Sequence, residues 1–202
     1  EARRMVATAE RTGKLYMVNQ SRRWDAQHEI VHRVIAGSQL GTLTTIHCDF
    51  YIGAHFGGFR DEMPSPLILD MAIHHFDLAR YMGGVDPAAV YAKEFNPAGS
   101  WYKGDAAASC IFEMSHGVIF TYRGSWCAEG FHTSWNGDWR FITDRGTLLY
   151  DHDQAPKAVV VAGTAGFHRD TQPVAMPPPS VQYTGMHGAL REMLEFLRTG
   201  RK

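Results

Sequence analysis

The stretch Pro64-Ser65-Pro66-Leu67-Ile68-Leu69-Asp70-Met71-Ala72-Ile73-His74-His75-Phe76-Asp77-Leu78-Ala79-Arg80-Tyr81-Met82-Gly83-Gly84 decides how the rest of the chain reads. Prolines open helices, because the first N–H groups of a helix have no partner to lose, and paired glycines close them. The punctuation predicts a helix of about 18 residues. At about 100° per residue, Asp70, His74, Asp77 and Tyr81 fall within a sector of roughly 60°, and most of the remainder is apolar. Burying an unpaired carboxylate or imidazole is costly, so the stripe needs a reason. Either it faces a cleft, where a carboxylate fixes the tautomer of His74 and raises its pKa to make an acid/base pair, or Asp70 and Asp77 satisfy neighbouring backbone and Arg groups while His74 is a hydrogen-bonded core histidine. His75 points elsewhere on the wheel and reads as structural.

Upstream, Glu1 to Arg11 is rich in helix formers and stops at Gly13, and Leu15 to Asn19 reads as a buried strand. A second helix is expected from Asp25, as N-cap, to Ala36. From Leu43 the period changes to 2: Ile46, Cys48, Phe50 and Ile52 alternate with Thr45, His47, Asp49 and Tyr51. Downstream, Ala106–Met114 and Val118–Trp126 flank Ser115-His116-Gly117 as a hairpin, and Trp139–Thr143 and Thr147–Tyr150 flank Asp144-Arg145-Gly146 as another. Val159-Val160-Val161 adds a strand, Pro177-Pro178-Pro179 interrupts, and a last helix starts near His187, with Gly200 as its cap. The expected fold is α+β, a predominantly antiparallel open sheet with helices on one face.

The 202 residues, 45% hydrophobic and 20% charged, suffice for one domain and a fraction, with a core. A net charge of −1 argues against a nucleic-acid footprint. No apolar run approaches the roughly 18 residues that span a bilayer, so a membrane partner is not expected. Three widely spaced cysteines, Cys48, Cys110 and Cys127, suit neither a disulfide framework nor a zinc ribbon and point to a reducing, cytoplasmic compartment. His28 and His32 have the spacing of a helical metal pair but lack a third ligand, so they read as a solvated helix face and no metal is expected. Trp126, Trp135 and Trp139 either pack together or offer a ring to a sugar.

The segment Leu69-Asp70-Met71-Ala72-Ile73-His74-His75-Phe76-Asp77, running on to Arg80-Tyr81-Met82-Gly83, resembles the D-x-G/A-x-H-x-x-D helix of the Gfo/Idh/MocA oxidoreductases. The run through Asn19 and Arg22-Arg23, the turn Arg145-Gly146-Thr147-Leu148 and the closing helix stand in that family's order. The resemblance implies a C-terminal, dihydrodipicolinate-reductase-like sheet domain preceded by a remnant of a Rossmann domain. Residues 1–19 would be the tail of the nucleotide-binding domain and 20–202 the substrate-binding and oligomerisation domain. It also implies an NAD(P)-dependent enzyme acting on a sugar, inositol or related polyol. Asp70 and His74 would be catalytic, with His74 exchanging the hydroxyl proton and Asp70 orienting substrate or imidazole. Asn19, Arg22, Arg60, Asp77 and Trp126 are candidate substrate contacts, Arg23 a further donor, and Asp77 mainly holds the helix. Two departures stand out: Ala72 replaces the more usual Gly, and Pro64-Ser65-Pro66 stands where many members have Gly-Gly.

Dinucleotide folds seat the pyrophosphate on G-x-G-x-x-G, yet no two of the 20 glycines lie two positions apart. The family's catalytic Lys has no counterpart. The NAD or NADP site is therefore expected upstream of Glu1, in a missing Rossmann domain, and the chain alone is expected to bind no dinucleotide and to be inactive. The competing reading is a non-catalytic binding or dimerisation module that keeps the fold without its cofactor domain. In either case the family's habit of packing the open sheet face against a second subunit implies a homo-oligomer.

Overall fold

The computed structural model describes residues 1–200; Arg201 and Lys202, the end of the expected second domain, lie outside the described residues. Among the described residues eight strands form one sheet: β1 (Leu43–Tyr51), β2 (Pro87–Phe95), β3 (Ala107–Met114), β4 (Ile119–Ser125), β5 (Asp138–Thr143), β6 (Gly146–Tyr150), β7 (Lys157–Val161) and β8 (Thr171–Val174). They run in the order β2-β3-β4-β1-β5-β6-β7-β8. Only β1 and β4 pair in parallel; the other six neighbouring pairs are antiparallel. The alternation of β1 holds, with Ile46, Cys48 and Phe50 buried. Helices α2 (Ala26–Ala36) and α3 (Ile73–Gly83) cover that face, setting Val31, Val34, Leu78 and Met82 in one cluster with Phe120, Tyr122, Trp139 and Phe141. Each large apolar side chain removed from water there contributes roughly 2–3 kcal/mol. The opposite face carries no layer among the described residues. His47 bonds Thr121, Asp49 holds Arg123 through two bonds of 2.8 and 2.6 Å, and Ile111 stays half exposed.

The local signals explain most of the framework. Asp25 caps α2 by accepting from the backbone N–H groups of Gln27 and His28, and Gly13 ends α1 (Ala2–Thr12) in the left-handed conformation. The hairpin between β3 and β4 turns on His116 and Gly117, both at positive φ. Four expectations change. Residues 14–20 form no strand, because no edge of the sheet pairs with them; Leu15, Tyr16 and Val18 are exposed. The predicted helix over 64–84 begins as a π turn, Leu67–Ala72, and becomes α-helical only at Ile73. His28 is buried rather than solvated, its Nδ1 donating to the Arg22 carbonyl at 2.7 Å, and His32 stacks on Tyr81. The last helix, α4 (Gly185–Thr199), forms, but Leu190, Leu194 and Leu197 on its apolar face remain exposed.

Candidate functional site

The polar stripe of α3 lies against a 3-10 turn, Ser21–Trp24, that precedes α2. Arg23 reaches across and holds both oxygens of Asp77, at 2.8 and 2.5 Å. About two turns earlier, Arg60 donates through Nε to Asp70 at 2.6 Å, and its guanidinium lies over the rings of Phe56 and Phe59. Each carboxylate of the stripe is thus bound by an arginine. Neither is the hydrogen-bond partner of His74, contrary to the expected Asp–His pairing; that partner is Gln20, whose Oε1 lies 3.2 Å from Nδ1. With a carbonyl oxygen as acceptor, Nδ1 carries the hydrogen and Nε2 keeps its lone pair.

The electrostatics also run against the expectation of a raised pKa. Burial lowers the His74 pKa from 6.5, Arg22 lowers it further, and Asp70 and Asp77 oppose this only in part. His74 is therefore neutral at pH 7 and able to accept a proton. Asp70 itself sits in the π turn, where i→i+5 bonding widens the helix. The loop that starts this turn is pinned by backbone bonds from Lys103 to Asp61 and from Asp105 to Pro64, both 2.8 Å. Gly104 packs so closely on the Met63 and Pro64 carbonyls that a Cβ there would collide with them.

The other candidates are distributed unevenly. Arg22 is half-buried beside the stripe; its Nη1 donates to the Trp135 carbonyl and to Asn136 Oδ1, and its Nη2 approaches Met71. Asn19 turns away toward α4, where Nδ2 contacts Met186 Sδ, and lines a groove of about 430 Å³ with Gln20, Arg23, Asp77, Arg80 and Glu192. Trp126 is 1% exposed, stacked with Tyr102, and offers no ring face to a ligand. The exposed tryptophan is Trp135, at 46%, within 6.1 Å of the exposed Phe56 ring. Gln20, Phe56 and Trp135 thus lie beside the candidate residues of the helix, Asp70, His74 and Asp77. The run Asn19-Gln20-Ser21 before the Arg pair was the signal available for Gln20, and Trp135 differs from Trp126 and Trp139 in its exposure.

No Gly-x-Gly occurs in the chain, and the N-terminus of α2 is occupied by the Asp25 carboxylate. These residues do not fit a dinucleotide pyrophosphate. No group of three His, Cys, Asp or Glu side chains among the described residues is arranged to hold a metal ion, and no helix there is long and apolar enough to cross a membrane.

An open, mostly antiparallel sheet, backed on one face by helices and carrying an Asp–His–Asp helix held by two arginines, defines an α+β domain with a histidine-centred polar site. A family model described as the GFO/IDH/MocA C-terminal domain matches residues 28–149, and the chain belongs to that family. The uncharacterized protein y4oX of Sinorhizobium fredii is 28% identical over 154 residues, which cover 74% of this chain and 43% of that protein. Among solved structures, an oxidoreductase from Agrobacterium radiobacter in complex with NAD+, L-tartaric acid and magnesium superposes with a TM-score of 0.76 at 19% identity, over 100% of this chain and 60% of that one. The WlbA dehydrogenase from Bordetella pertussis, in complex with NADH and UDP-GlcNAcA, gives 0.74 at 15% identity, over 99% and 58%. An aldose-aldose oxidoreductase from Caulobacter crescentus, complexed with glycerol, gives 0.75 at 17%, over 98% and 58%. The chain therefore spans 43% of the length of the curated relative and about 60% of each of these structures.

Proposed function

We propose that this chain is the substrate-binding domain of an NAD(P)-dependent oxidoreductase acting on a sugar, inositol or related polyol. The observation that carries the reading is His74: neutral, with Nδ1 committed to Gln20 and Nε2 free to take a hydroxyl proton. In this reading the nicotinamide, held by a nucleotide domain whose pyrophosphate cradle these residues do not supply, takes the hydride from the same carbon. Asp70, set by Arg60, orients the substrate hydroxyls, Arg22 is a further donor, and Asp77 holds the helix through Arg23. Residues 1–19 belong to the nucleotide domain in this proposal. The exposed Leu15, Tyr16 and Val18 beside Met193 and Phe196, together with the bare apolar face of α4, are surface such a domain would cover. The bare sheet face pairs with a second copy, and the three unpaired cysteines suit a reducing cytoplasm.

Turnover tests this. In the protein carrying its nucleotide domain, His74→Ala is expected to lower NAD(P)-dependent oxidation of the substrate by about 10²-fold or more, the scale of general-base loss. Near-normal turnover would remove His74 from the role. Residues 1–202 alone are expected to leave NADH fluorescence unchanged on titration, and saturable quenching would overturn the division of labour.

A further inference from the structure

The arginines around His74 are not partnered alike. Arg23 is matched by Asp77 and Arg60 by Asp70, each through direct bonds, but Arg22 has no carboxylate partner among the described residues. The nearest compensation is indirect: Asn136, which accepts from Arg22, donates its amide to Asp153. Arg22 is desolvated enough for burial to lower its pKa despite Asp153, and Arg22 in turn lowers that of His74. Arg22 is thus the guanidinium of the three with no carboxylate bound directly to it among the described residues.

The guanidinium is also oriented. Nη1 spends its two hydrogens on the Trp135 carbonyl and Asn136 Oδ1, which fixes the plane. Along the other edge, among the described residues, Nε makes no hydrogen bond and Nη2 meets only the Met71 sulfur, at 3.8 Å. Nε is not among the buried polar atoms left without a partner, so it keeps some contact with solvent. An Nε/Nη2 edge held in place and free of oxygen acceptors is the fork that takes both oxygens of a carboxylate.

We propose that the substrate carries a carboxylate, as an aldonate, uronate or related hydroxy acid does, and that Arg22 binds it beside His74. This rests on the reading of His74 as the substrate-side base and narrows the polyol class to its acids. A single planar fork matches the two oxygens of a carboxylate, and with Asp153 behind Asn136 the site offers little charge to hold a phosphate dianion.

The test is equilibrium binding by calorimetry, on the protein carrying its nucleotide domain, with D-gluconate, D-sorbitol and sorbitol 6-phosphate as probes. Gluconate is expected to bind at least about tenfold more tightly than sorbitol, and to weaken as salt rises. Arg22→Gln is expected to erase the gluconate preference and Arg22→Lys to keep part of it, with thermal melts checking that each variant folds. Equal binding of gluconate and sorbitol, no binding of gluconate, preference for the phosphate, or a gluconate preference that survives in folded Arg22→Gln would each overturn the proposal. If Arg22→Gln does not fold, the wild-type comparison and Arg22→Lys still decide. Because the readout is binding, it is separate from turnover: gluconate selectivity in a protein that oxidises nothing would defeat the oxidoreductase reading and leave the carboxylate site standing.

Discussion

His74 and His75 are neighbours in sequence, yet one turn of α3 gives them opposite chemistry. His74 lies half-buried on the side facing Ser21–Trp24, with one ring nitrogen bound to Gln20. His75, rotated by about 100°, is fully buried against Phe50, Tyr122 and Trp139. Its Nε2 faces the Trp135 carbonyl and its Nδ1 the Tyr122 hydroxyl, both at 3.4 Å. A neutral ring suits both contacts, since Nε2–H donates to the carbonyl and Nδ1 accepts from the hydroxyl. Burial accordingly drives its pKa well below 6.5, whereas His74 is lowered by burial and Arg22 together, with two carboxylates opposing. The contrast shows that rotation alone sets one histidine in the polar stripe and its neighbour in the aromatic core.

The sharpest way to break this contrast is to remove each ring in turn. His75→Ala leaves a cavity among aromatic rings and strands the Tyr122 hydroxyl, so we expect a loss of about 3 kcal/mol in denaturant unfolding. His74→Ala should leave stability within about 0.5 kcal/mol while removing turnover. If the two variants unfold at the same denaturant concentration, the division between a site side and a core side fails.

Acid is the next probe. His28 and His75 both have folded pKa values below their ordinary 6.5, chiefly through burial. The unfolded chain therefore binds more protons as pH falls below 6.5, and the stability these groups contribute above that pH is lost on acidification. We expect a decline of about 1–2 kcal/mol between about pH 7 and pH 5, and a flatter profile in His75→Ala. An unchanged slope in that variant would mean that other groups govern the acid limb.

How much of this was legible follows the reach of each signal. Period-2 alternation located β1 and both hairpins, because one face of each strand is buried. It missed β2, where Val90, Tyr91 and Phe95 are all exposed and nothing imposes alternation, and it missed β8, four residues on the opposite edge that include Pro173. The run Leu15–Asn19 is apolar enough for a strand, but a strand exists only where another pairs with it. At the site, Asp70, His74 and Asp77 share one element, so local spacing grouped them. Their partners come from elsewhere in the chain: Gln20 and Arg23 each lie 54 residues from the group they bind. Only the fold brings those together. The choice of Trp126 over Trp135 went against burial for a related reason, since both lie between β4 and β5 and carry the same composition signal, yet one is 1% exposed and the other 46%.

The smallest expected effect concerns the bond between the two halves of the site. Asp77 is 11% exposed and Arg23 38%, so water screens part of their attraction, and Asp77→Asn should cost about 0.5–1 kcal/mol of stability. Its functional consequence should exceed that cost. The Arg23–Asp77 pair fixes the turn whose flanking Gln20 sets the His74 tautomer and whose Arg22 lies beside the ring. Loosening it lets both shift while leaving His75 packed. If His74 is the base proposed above, we expect kcat to fall several-fold with KM changed less, because its orientation is altered more than the binding surface. A variant that loses stability and keeps kcat would make the pair a structural clasp with no part in positioning His74.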